Sequence, residues 1–153
     1  MSSLKGRRTE ISSDYPSCKE CYATLVIYPR LLHPEVISEM LGITPTRQNV
    51  LGEKITNSQG RTREIEKSGW FLSTENIVFS KDLRDHLDWL LNKIEPSCNV
   101  IEKLQCGNEA IMAISCVWHS QVGHGGPVLW PEQMKRMSDL NMEFGLDLLF
   151  FED

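Results

Sequence analysis

The chain has 153 residues, of which 41% are apolar and 24% charged, enough for a single hydrophobic core in one domain of ordinary size. The net charge is −5, which argues against a general nucleic-acid binder: there is no basic excess to displace counterions from phosphates. The longest apolar runs, Ala110 to Ile114 and Leu146 to Phe151, are too short to span a bilayer, so no membrane association is expected. Met1 to Ile11 carry Lys5, Arg7 and Arg8 without an apolar stretch and do not read as a signal peptide. Five cysteines, an odd count without an export signal, point to reduced thiols in the cytoplasm.

Residues 1–21 read as a mobile polar tail and residues 22–153 as one globular domain. Tyr22 to Tyr28 is rich in β-branched and aromatic residues and predicts a strand ended by Pro29. His33-Pro34-Glu35 is a helix start, and Val36, Ile37, Met40 and Leu41 form its apolar face before Gly42 stops it. Arg47 to Gly52 predicts a short strand, Glu53 to Ser68 a loop or loose hairpin, and Gly69 to Ser73 another strand. Lys81 to Glu95 is the clearest helix, with Leu83, Leu87, Leu90, Leu91 and Ile94 in one stripe and Ser80 as its cap. Val100, Ile101 and Leu104 predict a further short helix ending near Gly107. Glu109 to Trp118 reads as a central strand, and Pro131-Glu132 opens a helix with Met134, Met137 and Leu140 on one side. Glu143 to Phe150 alternates, placing Phe144, Leu146, Leu148 and Phe150 on one face of an antiparallel or edge strand.

The first and last parts of the chain both read strand, proline-acid helix start, helix, strand. Two β-α-β units over one mainly antiparallel sheet predict an α+β protein, a ferredoxin-like α/β sandwich.

Five segments carry a family resemblance: His33 to Thr46 (HPEVISEMLGITPT), Gly69-Trp70, Asp82 to Pro96 (DLRDHLDWLLNKIEP), Val117 to Glu132 (VWHSQVGHGGPVLWPE) and Glu143 to Phe151. In that order they resemble a family of small bacterial proteins known as domain of unknown function 4279. The resemblance covers roughly Tyr22 to Phe151 and leaves Cys18-x-x-Cys21 outside. It implies a bacterial origin and a compact stand-alone domain, and brings no activity or catalytic residues with it.

Cys18 and Cys21 have the spacing of half a zinc site, but no second such pair exists, and Cys98, Cys106, His119 or His124 would have to complete it. No metal or other cofactor is therefore expected, and the thiols read as small apolar fillers. Trp118 to Pro127 (WHSQVGHGGP) is the most unusual segment: His119, His124, Gly125 and Gly126 follow an apolar strand, where bare amides would suit an anion. It reads first as a structural turn and second as a ligand loop, with Arg47 as an anion clamp. No nucleophile-base-orienter set is legible from spacing, so no catalytic residue is assigned. Arg47, Lys54, Arg61, Arg63 and Lys67 make the middle loop locally basic, diluted by Glu53, Glu64 and Glu66; it reads first as a solvated loop and second as a phosphate-binding loop. His86 at the stripe's edge reads as a satisfied core-edge histidine, and Trp70 and Trp118 as core.

Two functions follow. The first is a non-catalytic binding or inhibitory protein, of the kind that confers immunity by neutralising a partner. Its surface would be Asp85, Asp88 and Glu95 opposite the apolar stripe, with Trp89 beside them, facing a basic protein. The alternative is a small-ligand protein or enzyme using the glycine-histidine loop with Arg47. Pairing of two copies through the C-terminal strand is a further expectation.

Overall fold

The computed structural model describes residues 8–150; residues 1–7, with Lys5 and Arg7 of the expected tail, and 151–153, with Phe151, lie outside them. The elements in order are β1 (Cys18–Tyr28), α1 (Pro34–Leu41), β2 (Arg47–Asn49), β3 (Lys54–Thr56), β4 (Thr62–Glu64), β5 (Gly69–Ser73), α2 (Leu83–Ile94), α3 (Cys98–Cys106), β6 (Ile111–Ser120), α4 (Pro131–Asp139) and β7 (Glu143–Leu149).

Local chemistry sets most boundaries. The His33 side chain accepts from Glu35 N–H at 3.1 Å, Pro34 opens α1, and Gly42 at φ 67° closes it with its N–H on Ser38 O. The cap of α2 is Asp82 rather than Ser80: its carboxylate accepts from Arg84 N–H at 3.0 Å, while Ser80 Oγ accepts from Asp82 N–H and donates to Asp85. An acid outcompetes a hydroxyl there because the first-turn amides carry partial positive charge. A 3-10 turn, Glu95–Ser97, bends the chain at Pro96 from α2 into α3.

The five-stranded sheet has the order β2-β5-β1-β6-β7, and β3 and β4 form a separate hairpin. β1 is antiparallel to β5 and β6, and β2 to β5. β1-α1-β2-β5-α2-β6 is therefore the ferredoxin-like β-α-β-β-α-β arrangement. α4 and β7 extend it, with β7 parallel to β6 at the sheet edge. Both expected β-α-β units exist, but they differ. β5 lies between β1 and β2, whereas β6 and β7 are direct neighbours.

The main core cluster lies on one side of the sheet. Ala23, Leu25, Ile27, Trp70, Leu72, Met112, Ile114, Cys116 and Trp118 are buried in one cluster with Leu83, Leu87, Leu90, Leu91 and Ile94 of α2. α2 packs on β1, α4 packs beside α2 and β7, and α3 packs beside α1. No residue from the other face of β1, β5 or β6 belongs to that cluster. Met137 and Leu140 join it as expected, but Met134 does not and is 50% exposed.

Cys18 to Cys21, expected in the tail, belong to β1, and residues 8–17 dock on the helix layer. Arg84 donates to Thr9 O at 2.5 Å and Glu10 O at 3.0 Å, Ser12 N–H to Asp82 at 3.0 Å, and Tyr15 meets Trp118 edge-on. Arg84 and Asp82 are themselves almost fully buried and joined by a bidentate pair, Nε to Oδ1 at 2.9 Å and Nη2 to Oδ2 at 2.7 Å. Burial alone would raise the Asp82 pKa, but the Arg84 guanidinium and the Ser12 and Arg84 amides hold it below the usual carboxylate range.

His86 is buried as a satisfied side chain. Its Nε2 lies 2.6 Å from Ser80 O, which can only accept, so Nε2 carries the proton and Nδ1 accepts from Thr74 Oγ1 at 2.6 Å. Thr74 Oγ1 in turn accepts from Ala23 N–H. Burial pushes the His86 pKa below its ordinary value, against the Ser80 hydrogen bond. The unfolded chain then takes up a proton before the native state does. This stability term is complete above the ordinary histidine range, about pH 6.5, and is lost as pH falls through the lower native value. Urea midpoints should therefore fall from pH 7.5 to 5.5, and His86→Gln should flatten that slope; an unchanged slope in the variant would refute the assignment.

Candidate functional site

With the helices on one side, the sheet presents an uncovered face whose rows follow from the register. Arg47, Phe71, Val26, Ala113 and Glu143 lie in one row. Ser73, Thr24, Ser115 and Gly145 form the next, then Tyr22, Val117 and Asp147, then Glu20, His119 and Leu149. Tyr22, Thr24, Val26 and Tyr28 are each half-buried, as are Ala113 and Val117.

The two ends of this face differ in charge. Around Tyr22 gather Glu20 from its own strand, Asp147 from β7 and Glu75 from the connection after β5. Partial burial, and then the fields of Glu75, Glu20 and Asp147, push the Tyr22 phenol above its usual pKa, which records their proximity. All three carboxylates are exposed. The connection that carries Glu75 also carries Phe79, which is 83% exposed.

The other end is aromatic and cationic. Tyr28 and Phe71 meet edge to face with centroids 6.1 Å apart. Gly69 makes room for both rings: a Cβ there would stand 2.7 Å from Phe71 Cζ and 3.5 Å from Tyr28 Cε1. The Arg47 guanidinium lies 4.2 Å from the Phe71 centroid, and the Lys67 ammonium 4.0 Å from that of Tyr28. Between this end and the β4 side of the hairpin is a cavity of about 730 Å³.

The acidic helix face is not the open surface expected. Arg136 of α4 pairs with Glu95, donates to Asn92 Oδ1 at 2.6 Å and lies 3.5 Å from Asp88, which also accepts from Gln133 at 3.0 Å. Asp85 accepts from Ser80 at 2.5 Å. Trp89 is half-buried against the core. These charges are largely compensated by the chain itself.

The glycine-histidine loop is a turn built on residues 15–17. Gln121 N–H donates to Ser17 O, Tyr15 OH to Gly126 O, and Ser120 Oγ to the His124 carbonyl. Gly125 has φ 95°, and a Cβ on it would stand 2.8 Å from Ser17 Oγ, so both conformation and space demand glycine. His119 is buried with Nδ1 4.0 Å from Glu20, and His124 is exposed. Arg47 does not join them: it shares a row with Ala113, six residues from His119, which is about 20 Å at the rise of a strand.

The five cysteines are free. Cys18 and Cys21 sit in the first turns of β1, across a register irregularity that buries both side chains. The Cys21 thiol donates to Ser80 O at 3.7 Å. Interaction between the two neighbouring thiols lowers the Cys18 pKa and raises that of Cys21, and burial pushes Cys116 up to about 12. Among the described residues no three His, Cys, Asp or Glu side chains stand close enough to hold a metal ion, and no helix is long and apolar enough to cross a membrane.

Sequence reasoning did not single out Tyr22, Tyr28, Phe71, Glu20, Glu75 or Asp147 as site residues. The signal available was the alternation within β1, but both of its faces are apolar or aromatic.

These features define an α+β domain with one helix-covered and one uncovered sheet face. The chain belongs to the family "Domain of unknown function (DUF4279)", which matches residues 19–151, nearly the whole chain. The match takes in Cys21 and leaves out Cys18. No curated protein and no solved structure matches it.

Proposed function

We propose that this protein works by binding rather than by catalysis, capturing a basic protein partner on the Tyr22 end of the uncovered sheet face, as an inhibitory protein of the immunity type in a bacterial cytoplasm would. The observation that carries this reading is the convergence of Glu20, Glu75 and Asp147 on a half-buried tyrosine where no helix covers the sheet. Exposed carboxylates steer a basic partner by long-range attraction. A tyrosine held by its strand loses little entropy on burial and anchors the complex. Reduced thiols suit the cytoplasm. A second copy would pair along β7, an edge strand on which Leu146 and Leu148 are 37% and 39% exposed.

The test is capture of a partner from the native host followed by kinetics at two salt concentrations. Glu20→Gln with Asp147→Asn should slow association and flatten its salt dependence. Tyr22→Ala should act on dissociation and weaken binding by about 2 kcal/mol. Asp88→Asn should change little, since Asp88 is already engaged by Arg136 and Gln133. A partner indifferent to Glu20, Asp147 and Tyr22 but sensitive to Asp88 would return the interface to the helix face.

A further inference from the structure

We propose that the cavity bounded by Tyr28, Arg47, Arg63, Ile65, Lys67 and Phe71 is a binding site for a small organic phosphate that carries a planar ring. The site is separate from the Tyr22 end of the face: Tyr22 and Tyr28 are six residues apart on β1, about 20 Å at the rise of a strand.

The cations of this cavity have unused donors. Arg47, Arg63 and Lys67 line one cavity, and among the described residues none of them has a carboxylate within 4.0 Å or a side-chain hydrogen bond, although Glu64 and Glu66 line the same cavity. Glu64 stands opposite Lys54 in the hairpin register, so it has a cation of its own nearby. Two of the three cavity cations are instead held on ring faces, Arg47 on Phe71 and Lys67 on Tyr28. A cation placed on a ring keeps its N–H donors available while its position is restricted, the condition for gripping an oxyanion with little loss of side-chain entropy. Two guanidinium forks match phosphate oxygens in pairs, and the ammonium adds a point charge. The three cations outnumber Glu64 and Glu66 by one, in a chain whose net charge is −5.

Size and wall chemistry specify the rest of the ligand. At about 730 Å³ the cavity is far larger than inorganic phosphate needs and falls in the range of sites for organic ligands. Phe71 and Ile65 are buried yet stand outside the main core cluster, so they form an apolar wall on this side of the sheet. The outer face of the Arg47 guanidinium offers a plane for a ring to stack on. Glu64 and Glu66 offer acceptors for ring N–H groups. Gly69, where any Cβ would strike the Phe71 ring, preserves the geometry from below.

The experiment is calorimetric titration of the full chain with the four ribonucleoside monophosphates, their nucleosides and inorganic phosphate. At least one monophosphate should bind saturably, about tenfold or more tighter than its nucleoside and than inorganic phosphate. Arg47→Ala and Lys67→Ala should each weaken it about tenfold, and added salt should weaken it further. These residues are exposed, so the variants retain the fold; circular dichroism confirms it. Tyr22→Ala should leave this binding intact, which keeps the outcome independent of the protein-partner reading. Absence of saturable binding by all four monophosphates, equal binding of inorganic phosphate, or binding that survives both substitutions would overturn the proposal.

Discussion

Replacing Arg84 with alanine is expected to cost about 3–5 kcal/mol of stability, the usual effect of stranding a buried charge without its partner. The Asp82 carboxylate would keep only amide donors, and the Thr9 and Glu10 carbonyls would lose the guanidinium that ties the segment before β1 to the helix layer. Two readouts separate these consequences. Urea melts report the global loss, and limited proteolysis reports earlier cleavage before Cys18. Removing both charges, Asp82→Asn with Arg84→Met, should recover part of the loss, because no unpaired ion is left inside. A single-variant cost below about 1 kcal/mol would mean that water reaches Asp82 easily, contrary to its burial. The same pair sets an acid limit. Asp82 has a depressed native pKa, so its contribution is present above the ordinary aspartate range, about pH 4, and disappears as pH falls through the native value.

Leu87→Ala is the second large effect, with an expected cost of about 2–5 kcal/mol. Leu87 is fully buried in α2, the helix that packs on the central strand β1. Its removal would open a cavity with Leu83, Leu90 and Leu91 around the same stripe, and a close-packed layer relaxes only in part. Leu87→Met should cost less than about 1.5 kcal/mol, since volume is kept. Chemical denaturation of both variants checks the pair of values. A cost below about 0.5 kcal/mol for alanine would place the wrong face of α2 on the sheet.

Elements set by near neighbours along the chain were legible before the fold. Pro34 and Gly42 bound α1, the leucine stripe defines α2, and the alternation after Met142 defines β7, because capping and periodicity act over a few residues. The Gly125 turn was legible for the same reason. The α2 cap was missed by two residues: Ser80 and Asp82 both have cap chemistry, and the choice depends on the buried Arg84 contact with Thr9 and Glu10, some 75 residues away in the chain.

The candidate site was legible only in pieces. Arg47, Arg63 and Lys67 stood out as a locally basic segment, and Arg47 as an anion clamp, but its expected companions His119 and His124 lie towards the other end of the sheet. The acidic helix face was read correctly as a stripe of charge. What the stripe could not reveal is Arg136, 41 positions beyond Glu95, which folds back to satisfy it.

The sequence by itself determined the α+β class, most helices and strands, the core stripe of α2 and the net negative charge, all of which depend on composition or on contacts a few residues apart. Tertiary structure alone decided which face of the sheet stays uncovered. Ala23, Leu25 and Ile27 alternate with Thr24, Val26 and Tyr28, and both sets are compatible with burial; only the placement of α2 on one side assigns one set to the core and leaves the other to the site.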